Sequence, residues 1–586
     1  MILSPSCRKS LDISEDDLPT SDNSTSDIDP TSAADDVATF TGSYNIAISY
    51  SGTTASIAIT DTLGNTLQAI DSLSITISGA GVTINNLGHS TVHYTLSGSS
   101  TAGFFKLYSP ARQEIELDNL TLTGSNGAAI NNQSDKRTYI VLTGSNTIKD
   151  GGSYSSTPAD EDERSAFFSE GQICVSGSGS LSITASSADG KGGLFSDDYI
   201  RFLGGTVTVN ASKGHAIRGK DAVIVSDGTV KATCTADGKK AVTTDGFFQQ
   251  DGGSLTASST GAGIYDTEEK DIDAASGLKC DGDFTMGGGS LTASATGAGG
   301  KGISIGGKAS FNGGSVTATA SGSNRFYISS KYSDMTSNYE RYKTYPHSFA
   351  KAIKCDGAIV VQGEAYVYGK SSAHEGITCD GTWTQDGGTV IAEAYDDAVN
   401  SAKVMTISGG YIRGTSSNND GIDVNAAITI SGGVVIGEGA SQPECGIDSV
   451  EGTSVTVNGG YVISRGGGIN SFVTTSGKAF VQTTTSANAK VGLVSGSTQI
   501  LAYQAPSSGG TTTLFCAPEM KASSSYTLYT GVSAITVQNA NFPRFGTSFT
   551  GGSSGSSLTA SSSAGSSGPG GGGSGGGGWP GGGGRP

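Results

Sequence analysis

The sequence predicts an all-β protein, built as a right-handed single-stranded parallel β-helix with irregular capping ends. Three observations support this fold class. A step from a small residue to a large aliphatic residue, such as Gly421-Ile422, occurs in eleven copies between Gly193 and Ile469. A glycine turn such as Gly432-Gly433 recurs in step with it, and most successive copies lie 22 to 27 residues apart. Repeats of this length, with short alternating strands and no helical pattern, are typical of a β-solenoid.

Composition divides the chain into five regions around this repeat. We expect residues 1–36, which are rich in Ser, Thr and Asp, to form a disordered tether, because such a segment buries too little apolar surface to fold. Residues 37–127 hold longer, less regular strands and are predicted to cap the open end of the solenoid. The coils occupy 128–470, a second β cap occupies 471–545, and 546–586 is a Gly/Ser-rich tail expected to be disordered.

The overall composition argues against several classes of function. The chain has 586 residues, of which 90 are Gly, and a formal net charge of -18. An acidic protein is a poor partner for nucleic acid, because phosphate binding needs a basic surface. The eight Cys form no CxxC pair and only five His are present, so a zinc or redox centre is not expected. No stretch approaches a membrane-spanning helix in length and apolarity.

The first residues raise the question of a surface anchor. The run Leu-Ser-Pro-Ser-Cys at 3–7 looks like the end of a lipoprotein signal sequence whose beginning is missing. We therefore expect a lipid anchor on Cys7, followed by the flexible tether. This hypothesis places the protein outside the cell or on its surface, with membrane contact only through the anchor. The alternative is an ordinary cytosolic start followed by a disordered tail.

An insertion between two coils, residues 322–349, is rich in aromatic and basic residues. Five of the 21 Tyr lie within 19 of its positions. Aromatic rings stack on the apolar faces of sugars, and Arg or Lys bonds hydroxyls or carboxylates. We interpret Tyr327, Tyr332, Tyr342 and Arg341 as a carbohydrate-binding flap. The alternative is a loop that folds back and buries its own tyrosines.

Equivalent positions of successive coils stack, so a column of the repeat becomes a line on the surface. Two such columns become acidic in the later coils, where they hold Glu375, Asp397, Asp420, Asp423 and Asp448. Carboxylates about 5 Å apart on adjacent coils repel one another unless a cation is bound. A ligand set made only of oxygens suits Ca²⁺, which is the cofactor we expect. The alternative is a solvated acidic face.

The earlier coils carry a basic line in the same two columns. Lys301, Lys351 and Lys354 are predicted to attract a uronate chain lying along the solenoid. The alternative is a lysine ladder that keeps the protein soluble and guards against edge pairing. A lyase would need a basic residue at the α-proton and Ca²⁺ on the carboxylate. Because no compact Asp cluster surrounds Lys351 or Lys354 in the repeat, we assign no catalytic residue and regard an enzyme as the less favoured interpretation.

Several short segments, taken in order, carry a resemblance to a known family. They are Gly144–Gly151, Ser176–Leu181, Ile217–Asp221, Ala517–Lys521 and Tyr526–Gly531. Over roughly residues 100 to 535 the chain resembles the carbohydrate-binding parallel β-helix family typified by a clostridial cellulose- and pectin-binding protein. The resemblance implies a pectate-lyase-like solenoid that is secreted or surface-anchored. It also implies a calcium-containing polysaccharide binder with little or no lyase activity.

This sequence departs from the family at one position of the repeat. The family's coils often read Asp-Gly-Ile, with the Asp available to a metal. Here only Asp397 and Asp420, with Glu375 before them, keep an acid at that position, whereas the earlier copies hold residues such as Lys301 and Lys351. Calcium is therefore expected in the later coils rather than along the whole solenoid.

Three functions follow from these observations. The first is a non-catalytic extracellular polysaccharide-binding protein, assisted by Ca²⁺, for plant cell-wall or acidic glycans. The second is a calcium-dependent pectate-lyase-like enzyme. The third is a structural adhesin or spacer whose solenoid only displays its ends.

Overall fold

A computed structural model describes residues 32–154, 158, 161, 164–326, 346–537, 539 and 541–565. The described residues are all-β and 1% helical, and they form a parallel β-solenoid of about 14 turns. The predicted fold class is therefore confirmed. The described helices are two short 3₁₀ segments, Ala33–Asp35 and Val37–Thr39. Over the described ranges no helix has the length and apolar character needed to cross a membrane.

The chain forms two compact units. Unit 1 comprises residues 1–232 and 243–245, and unit 2 comprises 233–242 and 246–586. The strands Ala222–Cys234 and Lys240–Thr244 are divided between the two.

Unit 1 contains three lines of parallel strands, with three antiparallel strands near its start. The first line is Tyr44–Ser51, Val92–Ser100, Gln113–Thr123, Thr138–Thr143, Ile173–Gly177 and Tyr199–Ala211. The second line is Ala80–Asn86, Gly103–Tyr108, Ile130–Asn132, Ser165–Ser169, Gly192–Ser196 and His215–Gly219. The third line adds Ser145–Lys149 and Ser180–Ala185 between the later halves of Gln113–Thr123 and Tyr199–Ala211. The antiparallel strands are Thr54–Asp61, Thr66–Leu67 and Leu73–Ser78.

Unit 2 repeats the same pattern as three parallel stacks. The first stack is Ser276–Cys280, Lys301–Ile305, Lys351–Cys355, Ile377–Cys379, Val399–Ser401, Ile422–Val424 and Ile447–Ser449. The second is Phe247–Gln250, Phe284–Met286, Ala309–Phe311, Ile359–Val361, Trp383–Gln385, Met405–Ile407, Ile428–Ile430, Val455–Val457 and Phe472–Val473. The third is Ser254–Ser259, Ser290–Ala295, Ser315–Ala320, Tyr366–Ser371, Thr389–Ala394, Tyr411–Ser416, Val434–Glu438 and Tyr461–Gly466.

Antiparallel elements complete unit 2. Two small hairpins are inserted between coils, Ile264–Asp266 with Asp271–Asp273, and Arg325–Phe326 with His347–Ser348. After the coils, Phe480–Thr484 and Thr512–Cys516 pair antiparallel, and Ser563–Ala564 pairs with Phe472–Val473. Lys490–Ser495, Thr498–Gln504, Ser525–Val537 and Phe545–Thr559 close into a four-stranded antiparallel sheet.

The structure differs from the sequence expectation at both predicted disordered ends. The tether was expected to extend to residue 36, but Asp35 is fully buried. The Gly/Ser-rich tail was expected from residue 546, but the strand Phe545–Thr559 runs into it and pairs with Ser525–Val537. Small residues satisfy a strand ladder through their backbone groups, so low complexity does not by itself prevent pairing.

The predicted aliphatic column forms the core of the first stack in unit 2. Ile303, Ile353, Ile377, Val399, Ile422 and Ile447 are consecutive register partners and are at most 1% exposed. Each such side chain contributes about 1.5–3 kcal/mol by leaving water. The turn of the repeat requires glycine, because Gly433 has a φ of 75°, a conformation that residues with a Cβ rarely adopt. A Cβ on Gly433 would also lie 2.7 Å from the carbonyl oxygen of Gly410 in the preceding coil.

Candidate metal and carbohydrate sites

The structure brings the predicted acidic column together on the first stack of unit 2. Along this column Lys354 pairs with Thr378, Thr378 with Asn400, Asn400 with Asp423 and Asp423 with Asp448. Asn400, Asp423 and Asp448 are the middle positions of three-residue strands whose flanking side chains are buried. Since side chains alternate along a strand, burial of the flanking residues turns the middle residue outward.

Asp420, Asp423 and Asp448, here called the carboxylate triad, converge from two successive coils. One carboxylate oxygen from each of the three lies within 4.8 Å of the others. Asp420 precedes the strand Ile422–Val424 and accepts a hydrogen bond of 2.5 Å from the backbone N–H of Cys445. Asp448 accepts a hydrogen bond from the side-chain amide of Asn470. Both bonds hold a carboxylate in place through one oxygen.

Asp397 lies beside the triad and is linked to it through Asn400. The Nδ2 of Asn400 is 3.1 Å from an oxygen of Asp397 and 3.1 Å from an oxygen of Asp423. The backbone N–H of Asp420 also donates to Asp397, at 3.1 Å. Four of the five predicted metal ligands are thus held in one hydrogen-bonded surface.

The electrostatics of this surface are unfavourable when all of its acids are charged. Burial, followed by the charges of Asp448 and Glu375, raises the pKa of Asp423 to about 7. The pKa values of Asp397 and Asp420 are raised well above their ordinary range, first by burial and then by neighbouring carboxylates. Burial also raises the pKa of Asp448. A group of acids with raised pKa values is destabilised by ionisation, and a bound cation would reverse this effect.

The donor set fits a hard divalent cation. Among the described residues, the ion pairs on this surface involve Glu375 and Asp396 rather than Asp397 or the triad. The triad offers only oxygen atoms, and Asp397 is adjacent. Ca²⁺ takes six to eight oxygen ligands at about 2.3–2.6 Å, with carboxylates binding through one or both oxygens. The residues present therefore suit Ca²⁺, with water or ligand oxygens completing its shell.

The structure places the fifth predicted metal ligand, Glu375, in a neighbouring cluster. Its carboxylate forms an ion pair with Lys351 and lies 3.7 Å from Nδ1 of His374. Burial opposes ionisation of Glu375, but Lys351 and His374 outweigh it and lower the pKa of this carboxyl. Glu375 therefore lies apart from the carboxylate triad, and with His374 and Asp396 it forms a second group of possible metal donors whose ligand atoms lie within 4.8 Å of one another.

His374 is a site residue that sequence reasoning missed. Its ring stacks on Phe349 with 4.0 Å between ring centroids, and its Nε2 lies 3.5 Å from an oxygen of Asp396. Asp396 in turn accepts a hydrogen bond of 2.8 Å from Asn419. The available signal was its position next to Glu375, since the repeat pattern itself singles out only the residue before the small-aliphatic step.

The predicted basic line is present, but its ammonium groups have partners. Lys301 and Lys351 are register partners on adjacent strands. Lys301 donates to the hydroxyl of Ser348 at 2.7 Å, Lys351 pairs with Glu375, and Lys354 pairs with Asp356. Burial, followed by Lys354 and Lys351, lowers the pKa of Lys301 to about 7. The line is therefore less available to an acidic glycan than its sequence suggests.

Five predicted site residues lie outside the described part of the chain. They are Tyr327, Tyr332, Arg341 and Tyr342 of the aromatic insertion, and Cys7. The carbohydrate-binding flap and the lipid anchor stay predictions from sequence.

Comparison with known proteins addresses the function of the solenoid. A family model described as "carbohydrate-binding domain-containing protein" matches residues 78–264. The match is confined to this stretch, over which the chain is similar to carbohydrate-binding domain proteins. The matched residues include most of the coils of unit 1.

Two further comparisons do not extend this match. Among solved structures, a polysaccharide lyase-like protein from C. thermocellum, determined as a gadolinium derivative, is similar at 20% identity and a TM-score of 0.32. The similarity covers 47% of this chain and 94% of that one. Nothing about the activity of this chain follows from a likeness at that level. A search of the curated proteins found no significant match.

Proposed function

We propose that this protein is an extracellular, non-catalytic polysaccharide-binding protein that takes up acidic glycans such as those of plant cell walls with the help of Ca²⁺. The family match supports polysaccharide binding. The observation that carries the calcium proposal is the convergence of Asp420, Asp423 and Asp448 beside Asp397, with oxygen atoms as the only metal donors offered.

The charge of the protein explains why a cation would be needed. A chain with a formal net charge of -18 repels a polyuronate, and the lysines of the basic line are already paired. A Ca²⁺ ion at the triad would neutralise the protein's carboxylates and keep coordination positions for carboxylate and hydroxyl oxygens of the glycan. The triad would then bind and orient the cation, and the glycan would bind through it.

Affinity gel electrophoresis tests the proposal directly. The full chain is run through gels containing polygalacturonate, with CaCl₂ or with EGTA. We expect retardation with CaCl₂ that EGTA abolishes, and we expect Asp423→Asn to lose it. Asp386→Asn, a substitution at an exposed aspartate in the same unit, is the matched control and should migrate like the parent. Equal retardation in EGTA, or in Asp423→Asn, contradicts the calcium proposal.

A lyase is the second candidate, and one observation favours it. Lys301 has a pKa lowered to about 7, which suits a general base at neutral pH. Lys351 is its register partner on the next strand and forms an ion pair with Glu375. Ultraviolet absorbance of an unsaturated product, measured with polygalacturonate and CaCl₂, separates the two candidates. A steady increase that Lys301→Ala abolishes would establish the enzyme, whereas binding without absorbance supports the binder.

The surface location is also a proposal, and it rests on Cys7. A diacylated Cys7 at the start of the tether would hold the solenoid outside the membrane. Mass spectrometry of the native protein gives the answer, because lipidation requires that the residues before Cys7 are removed. An unmodified Met1 would exclude the anchor.

A further inference from the structure

The outer face of the third stack in unit 2 carries a regular array of hydroxyl groups. In its central column Thr256 pairs with Thr292, and Thr292 with Thr317. The two flanking columns hold Ser or Thr at the same three strands. Hydroxyls are linked along the columns, with 3.2 Å between Ser290 and Ser254 and 3.1 Å between Ser294 and Ser258. We call this array the hydroxyl track.

The hydroxyl track ends at two tyrosines on the next coil. In the same register its three columns continue to Tyr366, Tyr368 and Lys370. Both tyrosines are half-buried, because they pack against a hydrophobic cluster that includes residues of the C-terminal closed sheet. The track therefore passes from small polar side chains to two rings that stand at its end.

A charged group lies behind these rings. Tyr368 and Lys370 each approach an oxygen of Glu393 at 3.3 Å, and Nη2 of Arg413 approaches the other oxygen at 3.4 Å. Arg413 is 5% exposed, and its Nε has no hydrogen-bond partner among the described residues. A buried guanidinium N–H without a partner is costly, so this end of the track holds unused hydrogen-bonding capacity.

We propose that the hydroxyl track is a binding surface for a neutral, extended polysaccharide chain, with one sugar ring packed on Tyr366 or Tyr368. This inference rests on the proposed polysaccharide binding but places it on a second surface with another ligand class. Ser and Thr hydroxyls donate and accept, as sugar hydroxyls do. Successive coils repeat every 4.7–4.9 Å or so, which is of the same order as one sugar of an extended chain. Lys370 and Arg413 both form ion pairs with Glu393, so neither cation at the end of the track is left without a carboxylate partner to bind an acidic sugar.

The test is affinity gel electrophoresis of the full chain against a soluble neutral β-glucan, with polygalacturonate as a second arm and each arm run both in EGTA and in CaCl₂. We expect the β-glucan to retard the parent. A bulky charge on the track, Thr292→Arg, should weaken this binding at least about tenfold, since Thr292 is exposed and its replacement leaves the core intact. Tyr368→Ala should weaken it by a similar factor by removing the ring. Thr384→Arg, an exposed threonine on the second stack, is the matched control and should bind like the parent.

The outcomes separate this inference from the proposed function. If the β-glucan binds the parent and both variants, Thr292→Arg and Tyr368→Ala, equally well, the track is not the binding site, while the proposed polysaccharide binding stands. If the parent binds only polygalacturonate and only with CaCl₂, and Asp423→Asn loses this binding, the track is overturned and the triad is supported. No retardation by either glycan with or without CaCl₂ contradicts both.

Discussion

Asn400 bridges two carboxylates of adjacent coils, because its Nδ2 is 3.1 Å from Asp423 and 3.1 Å from Asp397. In its column this amide lies between Thr378 and the acidic pair Asp423 and Asp448, and it separates two carboxylates whose charges burial makes costly. Replacing it with a third carboxylate therefore changes the charge of the site without changing its size.

We expect Asn400→Asp to lower the unfolding temperature in EGTA and to increase the stabilisation that CaCl₂ provides. The added charge raises repulsion without a cation and adds an oxygen ligand when one is present. Thermal unfolding followed by circular dichroism, with and without CaCl₂, measures both effects. Asn312→Asp, at an exposed position, controls for the substitution itself. A calcium-dependent shift no larger than that of the parent would argue against a cation at this column.

The raised pKa of Asp423 predicts how stability depends on pH without calcium. A carboxyl whose pKa is about 7 in the folded state favours folding when protonated. Its stabilising contribution is complete below the unfolded-state pKa of about 4 and is lost as the pH rises through about 7. In EGTA we expect the unfolding temperature to fall between pH 5 and pH 8.

The controls for this pH dependence use calcium and one substitution. CaCl₂ should reverse the trend above pH 6, because the ion binds the ionised carboxylates. Asp423→Asn removes the titrating group and should flatten the profile in EGTA. A parent protein whose stability in EGTA rises steadily from pH 5 to pH 8 would contradict the assignment.

Asp35 anchors the start of unit 1. It is fully buried, with its oxygens 2.8 Å from Nε of Arg137 and 2.9 Å from Nη1 of Arg201, and it accepts a hydrogen bond of 2.5 Å from Tyr199. Removing one partner of a buried ion pair leaves the other charge uncompensated. We expect Asp35→Ala to lower the free energy of unfolding by about 3–5 kcal/mol. Denaturant unfolding measures the loss, and exposed Asp36→Asn should change stability little.

Two substitutions separate the cost of a positive φ at a glycine from the cost of close contact between neighbouring coils. Gly433 has a φ of 75° and Gly452 a φ of 83°. A Cβ on Gly433 would lie 2.7 Å from the oxygen of Gly410, whereas a Cβ on Gly452 meets nothing within 4 Å. Gly452→Ala should cost about 1 kcal/mol, and Gly433→Ala more, because the neighbouring coil must shift. Equal losses in denaturant unfolding would show that coil contact is not the constraint.

Much of the candidate metal site could be predicted from the repeat. The spacing aligned Asn400, Asp423 and Asp448, and the structure places them as register partners. Glu375 could not be separated from this set by sequence, because its pairing with Lys351 depends on where two side chains meet above the strands. The hydroxyl track was missed for a different reason. Its residues are ordinary Ser and Thr, and only their shared outward face on three coils makes them a surface.

The sequence by itself determined the fold class, the aliphatic column and the order of charges along the coils. It could do so because a solenoid repeats one local unit, so that sequence spacing converts directly into position. Only the tertiary structure decided which charges are partnered, how deeply Asp35 and Asp397 are buried, and that a strand extends into the Gly/Ser-rich tail. These properties depend on contacts between turns and on loss of water, which no local pattern records.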